Sequence, residues 1–325
     1  MSRRSALPSP VPVGALLLVG LVLLLLGVVP VGPRLLGGLG AAVVASTYAW
    51  VLAARAGGRP LTFAGLAVLL SALTLAVDAP WLRAGAAVLT CTEAAVLAVM
   101  TTVPARRFLQ AARECALATV TAALGALATV GWRPEVDLLR FHYLTLVLAL
   151  AAAFALVHRL GAGFHGLGRR GLLVVLGGGV LLVGTVAYAE LLRRYGPGPV
   201  VDGLISATDS SRDALGAVPR PVAAVLGIPA LAWGCHMRAR RRQGWWVCAF
   251  GVAATIPVAS SLVEPATSLL SAALQALYSL VVGLAIGYGV IRVDLALTGP
   301  RGRRARRAEE DRAVRPEPPR TSALL

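Results

Sequence analysis

LTCTEAAVLAVMTTVPARR, residues 89–107, is an apolar run that ends on two arginines and holds a single carboxylate, Glu93, in its interior. A run of this length reads as a helix crossing a bilayer. About 20 residues rising 1.5 Å each cover a hydrocarbon core roughly 30 Å thick. Arg106 and Arg107 then mark the point where the chain leaves the membrane. The carboxylate inside the run is the feature that needs explaining.

The same pattern recurs on either side. Of 325 residues, 57% are hydrophobic and only 14% are charged, too apolar a balance for one soluble core with a polar surface. Barrel strands would alternate apolar and polar residues, whereas LLLVGLVLLLLGVV, residues 16–29, is apolar on every face. The expected fold is therefore an all-α polytopic transmembrane bundle of about ten spans, within a range of 8 to 10. The spans fall at 12–31, 35–54, 61–78, 84–103, 111–131, 141–158, 171–192, 220–237, 244–263 and 267–291. Residues 1–11 form an N-terminal cytoplasmic tail, 12–291 the transmembrane domain, and 292–325 a basic, Pro-rich cytoplasmic tail expected to be disordered.

Every one of the 31 basic residues is arginine, and the chain has neither Lys nor Asn, which points to a GC-rich bacterial genome and a multi-pass protein of the plasma membrane. With both termini cytoplasmic, 23 arginines fall inside and eight outside: Arg34, Arg83, Arg133, Arg140, Arg193, Arg194, Arg212 and Arg220. Aromatic residues agree with this sidedness. Trp50 and Trp233 precede inner arginine clusters, Trp245 and Trp246 follow one, and Trp81, Trp132 and Tyr143 flank outer loops. The net charge of +16 follows from the same asymmetry. Its expected partner is the anionic inner leaflet, at about 1 kcal/mol per arginine near the surface, and not nucleic acid.

Several segments invite a second reading. The first resembles a signal peptide, but its long run, with another span following almost at once, favours an uncleaved helix. Segments five, starting near Arg113 and Glu114, and eight, with Pro221 and Pro229, are both needed to keep the basic loops on one side. The outer connection before Arg220 holds either an interfacial helix, with Leu204, Ile205, Thr208 and Leu215 on one face, or an irregular loop. Cys91, Cys115, Cys235 and Cys248 form no CxxC pair and are expected to be free thiols acting as small hydrophobes.

An ionisable residue at the centre of a spanning helix costs about 2.5–3.5 kcal/mol on insertion scales, so Glu93 should face the bundle interior or a water-filled cavity. Two roles are open to it. Without a cation it can exchange a proton or cation during transport; paired with Arg113 it is structural. Arg113 stands ~9 Å and Glu93 ~15 Å from the same inner boundary, within reach of a long side chain. The alternative is that Arg113 snorkels to the headgroups and pairs with Glu114 or lipid. Thr90 shares the face of Glu93, but Leu97 and Met100 interrupt the polar stripe.

Segment nine carries Pro257, Ser260 and Ser261, and Pro257 leaves the carbonyl of Ala253 without its helical donor. Interior breaks of this kind are found at transporter sites and at simple kinks. Ser279, Gly283 and Gly287 in segment ten form a small-residue ridge, for contact within the bundle or with another subunit. His142, His158, His165 and His236 form no metal-ligand set, and no cofactor or metal is expected.

The leading expectation is a transporter or permease-like protein for a small solute or ion. Glu93 is its ionisable group, and segments four, five and nine line its path. A non-transporting membrane subunit or scaffold, assembling through segment ten as a homo-oligomer or with a membrane partner, is the alternative. The outer-loop residues Glu135, Asp137, His142, Asp202, Asp209 and Asp213 leave a lipid-linked membrane enzyme as a third reading.

Overall fold

The structure is a computed structural model, and it describes residues 10–28, 35–160, 164–240, 243–298, 308, 317–320 and 322–324. The described residues are mostly helical, with no strand among them: an all-α polytopic bundle. In chain order the helices are α1 (Pro10–Val28), α2 (Leu35–Arg55), α3 (Pro60–Val77), α4 (Pro80–Met100), α5 (Phe108–Gly131) and α6 (Leu138–Arg159). They continue with α7 (Phe164–Tyr195), α8 (Gly198–Leu215), a π-helix at Ala223–Gly227 that runs into α9 (Ile228–Arg238), α10 (Gly244–Ala249), α11 (Val252–Val263) and α12 (Leu269–Thr298).

Eight helical stretches among the described residues are long and apolar enough to cross a membrane. The other two expected spans are shorter or broken. The apolar part of α1 covers Val11–Gly27, and the eighth segment changes from π to α geometry at Gly227. The connection before Arg220 is the helix α8, ended by Gly216 at φ 75°, a left-handed position that glycine adopts without a Cβ penalty. Its Leu204, Ile205 and Leu215 are exposed on the chain, as expected of a helix lying at an interface.

Local chemistry sets the helix ends. Pro60 and Pro80 open α3 and α4, where a missing N–H costs nothing. Asp137 caps α6 by accepting from the Arg140 N–H at 2.8 Å. The Gln110 side chain accepts from the Arg106 and Arg107 N–H groups at 2.8 and 3.2 Å, ending the irregular stretch between α4 and α5.

The core lies among α2, α4, α5, α6, α9, α10 and α11, while α3 and α7 lie outside it and present leucine and valine outward. Such outer faces suit lipid. Close crossings depend on small residues. A Cβ on Gly125 of α5 would lie 2.1 Å from the Ala94 Cβ of α4, and one on Gly283 of α12 would lie 2.5 Å from Ile228. Gly287 faces Pro229 and Ala232, and Ser279 accepts from the Arg220 N–H at 2.8 Å. The segment-ten ridge is therefore occupied within the chain by the π-helix and α9. All four cysteines are free and buried, as expected.

The C-terminal tail departs from expectation. Helix α12 continues to Thr298, beyond the expected boundary at 291, and residues 317–320 and 322–324 meet the arginine-rich end of the bundle. Glu317 pairs with Arg238 at 2.5 Å, and Arg320 places Nη2 2.9 and 2.8 Å from the two oxygens of Glu114. Arg55 donates to the carbonyls of Pro319, at 2.7 Å, and Ser322, while its own carbonyl accepts from the Leu324 N–H at 2.8 Å. Arg55, Glu114 and Arg238 are at most 2% exposed, and buried charges persist only where they are paired. The tail supplies a carboxylate to Arg238, a guanidinium to Glu114 and carbonyls to Arg55, contacts that its composition did not suggest. Residues 1–9 and 299–307 of the expected tails lie outside the described residues, as do 309–316.

Candidate functional site

Glu93 lines a cleft of about 440 Å³ between α2, α3 and α4. The cleft exists because α3 packs along α2 and only lightly against α4, and because Ala45, Ala49, Ala67, Gly85 and Ala86 carry little side chain. Its rim is apolar and exposed, formed by Phe63, Leu66, Trp81 and Leu89 on membrane-spanning helices. It therefore opens sideways, toward lipid. Trp132, just past α5, closes one end and donates its indole N–H to the Thr90 hydroxyl at 3.0 Å. Thr74 donates to the carbonyl of Leu70 at 2.8 Å.

Two polar groups in the cleft stay unsatisfied. The Thr92 hydroxyl is buried without a hydrogen-bond partner. The Glu93 carboxyl, half-buried, makes no hydrogen bond or ion pair with any described residue.

The placement of Glu93 differs from the expected midpoint. Helix α4 begins at Pro80 and ends at Met100, so Glu93 lies seven residues, about 10 Å, from the arginine-end terminus. The Arg113 pairing is also excluded. Arg113 is exposed at the bundle end, with Nη2 3.1 Å and Nε 3.3 Å from Glu114 Oε1, the snorkelling alternative. Glu114 is fully engaged by Arg113, Arg320 and the Val103 N–H at 3.0 Å, so it belongs to the tail contact and not to a path. Among the described residues, segments five and nine do not line this cleft, whose walls come mainly from segments two, three and four, with Trp132 after α5 and Ala152 of α6.

Pro257, Ser260 and Ser261 form a separate cluster at the opposite end. Arg220 Nε donates to Ser261 at 3.1 Å and to the Gln275 carbonyl oxygen at 2.9 Å, and its Nη2 pairs with Glu264 at 3.3 Å. Ser260 Oγ lies 2.9 Å from His142 Nδ1. Segment nine breaks at Phe250 and Gly251, between α10 and α11, as well as carrying Pro257. The π-helix packs next to this break: a Cβ on Gly227 would lie 2.1 Å from the Ala254 nitrogen. A shallow cleft of about 350 Å³ lies above the cluster, and a cavity of about 10 Å³ below it holds at most one water. Its polar groups satisfy one another, as in a structural network. Sequence reading passed over Arg220 and Gln275 as its centre, although Gln275, one turn before Ser279 inside an apolar run, was the available signal.

Other chemistry-bearing groups are dispersed. Glu135 pairs with Arg83 at 3.2 Å, Asp137 caps α6, and Asp202, Asp209 and Asp213 are exposed on α8. Among the described residues no three His, Cys, Asp or Glu side chains converge. A larger cleft of about 820 Å³ beside α9 and α12 also contains a carboxylate, Asp294, but this one accepts from the Trp233 indole at 3.2 Å and from Thr298 at 3.2 Å. Comparison with protein families, curated proteins and solved structures yields no match.

Proposed function

We propose that this membrane protein is a permease-like carrier of a small solute or ion, with Glu93 as the group that binds the cargo or exchanges it for a proton. The observation that carries this reading is the carboxyl of Glu93, held in an intramembrane cleft without a partner among the described residues. A carboxylate taken from water without a counter-charge costs several kcal/mol, and a bound cation or a proton removes that cost. Alternation between the two is what couples movement of one to the other. At the arginine-rich end, by contrast, the buried Glu114 and Arg238 each have an oppositely charged partner, and Arg55 donates to backbone carbonyls. The arginine-rich end is assigned to the cytoplasm of a bacterial cell by the positive-inside rule.

The scaffold alternative relied on the Ser279, Gly283 and Gly287 ridge as an assembly surface, and that ridge is filled by α9 and the preceding π-helix. Carrier function is tested by reconstituting the purified chain in proteoliposomes and recording solute uptake together with the opposing proton flux, read by a pH-sensitive dye, because one-for-one exchange at a single carboxyl moves no net charge. Glu93→Gln, which preserves shape and removes charge, is expected to abolish both fluxes. Equal fluxes in the variant and the wild type would end the proposal.

A further inference from the structure

We infer that the cargo is a lipophilic monocation that enters the Glu93 cleft sideways from the hydrocarbon of the membrane. This rests on the reading of Glu93 as the cargo-binding group. The charge count gives one positive charge, because Glu93 is the only charged residue among the described residues of the lining, and none of its neighbours there is basic. An anion would meet an unbalanced carboxylate. A bare Ca²⁺ or Mg²⁺ ion would want six or more oxygens, and the described lining offers one carboxyl and two hydroxyls without a hydrogen bond, those of Ser71 and Thr92.

Size and wall chemistry select an organic body. A cleft of about 440 Å³ is in the range that holds small organic ligands. Its walls are almost wholly carbon, with Phe63, Trp81 and Trp132 among them, and aromatic faces attract delocalised or quaternary cations. The route follows from the rim. Phe63, Leu66, Trp81 and Leu89 are 52–71% exposed and lie on spanning helices, so a solute already dissolved in the bilayer reaches Glu93 without crossing a polar surface.

The test uses the full-length protein in nanodiscs with two ions of the same shape and opposite charge, tetraphenylphosphonium and tetraphenylborate. Binding is measured by equilibrium dialysis against empty nanodiscs. Saturable binding of the cation alone is expected, weakened at least about tenfold in Glu93→Gln, the loss of one charge-assisted contact in a desolvated site. Ala67→Trp provides a second variant. It fills the cleft from the loosely packed α3, leaves Glu93 in place, and should weaken cation binding as well. Equal binding of the two ions overturns the inference, as does cation binding indifferent to both variants. If the cation binds through Glu93 but neither its uptake nor an opposing proton flux is seen in proteoliposomes, the ligand class stands and carrier function falls. If Glu93-dependent flux occurs with another solute and the cation does not bind, the ligand class falls and carrier function stands.

Discussion

At the scale of single residues, what separates Glu93 from the other buried charges is partnership. Arg238 has Glu317, Thr102 and the ring of Trp245, 3.4 Å away, while Glu93 has none of these. Sequence reading identified Glu93 as an interior charge because a lone carboxylate in an apolar run is costly wherever it faces. It could not decide the partner, because that depends on how α5 is rotated against α4, and Arg113 is rotated outward. Thr92 allows a sharper check. Replacing an unsatisfied buried hydroxyl by an isosteric apolar group is neutral or favourable, so Thr92→Val is expected to leave thermal stability in detergent unchanged or raised by up to about 1 kcal/mol. A clear loss would mean that the hydroxyl has a partner. Gly227→Ala should behave in the opposite way: its Cβ would fall 2.1 Å from a backbone nitrogen, which no rotamer can relieve. A loss of about 1–3 kcal/mol, read by thermal unfolding, is expected.

At the scale of elements, helices were legible and contacts between them were not. Apolar run length predicts most spans to within a few residues, since the hydrocarbon thickness sets it, while α7 starts and α12 ends seven residues beyond the expected limits; the proline starts and the Asp137 cap adjust other ends. The C-terminal segment was misread because its composition is that of a solvated chain. Its order comes from Arg55, Glu114 and Arg238, three charges on three helices that no local pattern connects. Glu317→Gln leaves Arg238 with Thr102 and Trp245, so its cost is expected to be about 1–3 kcal/mol, the range for a hydrogen bond to a charged group. Deleting residues 317–325 removes Glu317 from Arg238, Arg320 from Glu114 and the Pro319 and Ser322 carbonyls from Arg55 together, and should lower the unfolding temperature more than Glu317→Gln does. An unchanged melting temperature in both variants would show that the tail does not cap the bundle in solution.

At the scale of the whole molecule, the arginine-rich end and the opposite end each carry a polar network, and the apolar middle holds the unpaired carboxyl. Arginine placement predicts sidedness. A fluorescent protein fused at the C-terminus is expected to fold and fluoresce in a bacterial cell, and alkaline phosphatase inserted in α8 is expected to be active outside it. The reverse pattern would invert the assignment and place the tail contact outside.

The sequence by itself determined an all-helical membrane bundle, the approximate spans, and the presence of a carboxylate within the apolar run of α4, because run length and the cost of a charge in hydrocarbon are local quantities. That Glu93 lines a cleft open at the side, and not the bundle interior, was not legible there. Tertiary structure decided the rest: the lateral cleft, the isolation of Glu93 from Arg113, the internal use of the segment-ten ridge and the docked tail. Each of those depends on the rotation and separation of helices distant in sequence. Such packing is set by where glycine and alanine allow backbones to approach, as Gly125 does against Ala94, and by where α3 stands away from α4.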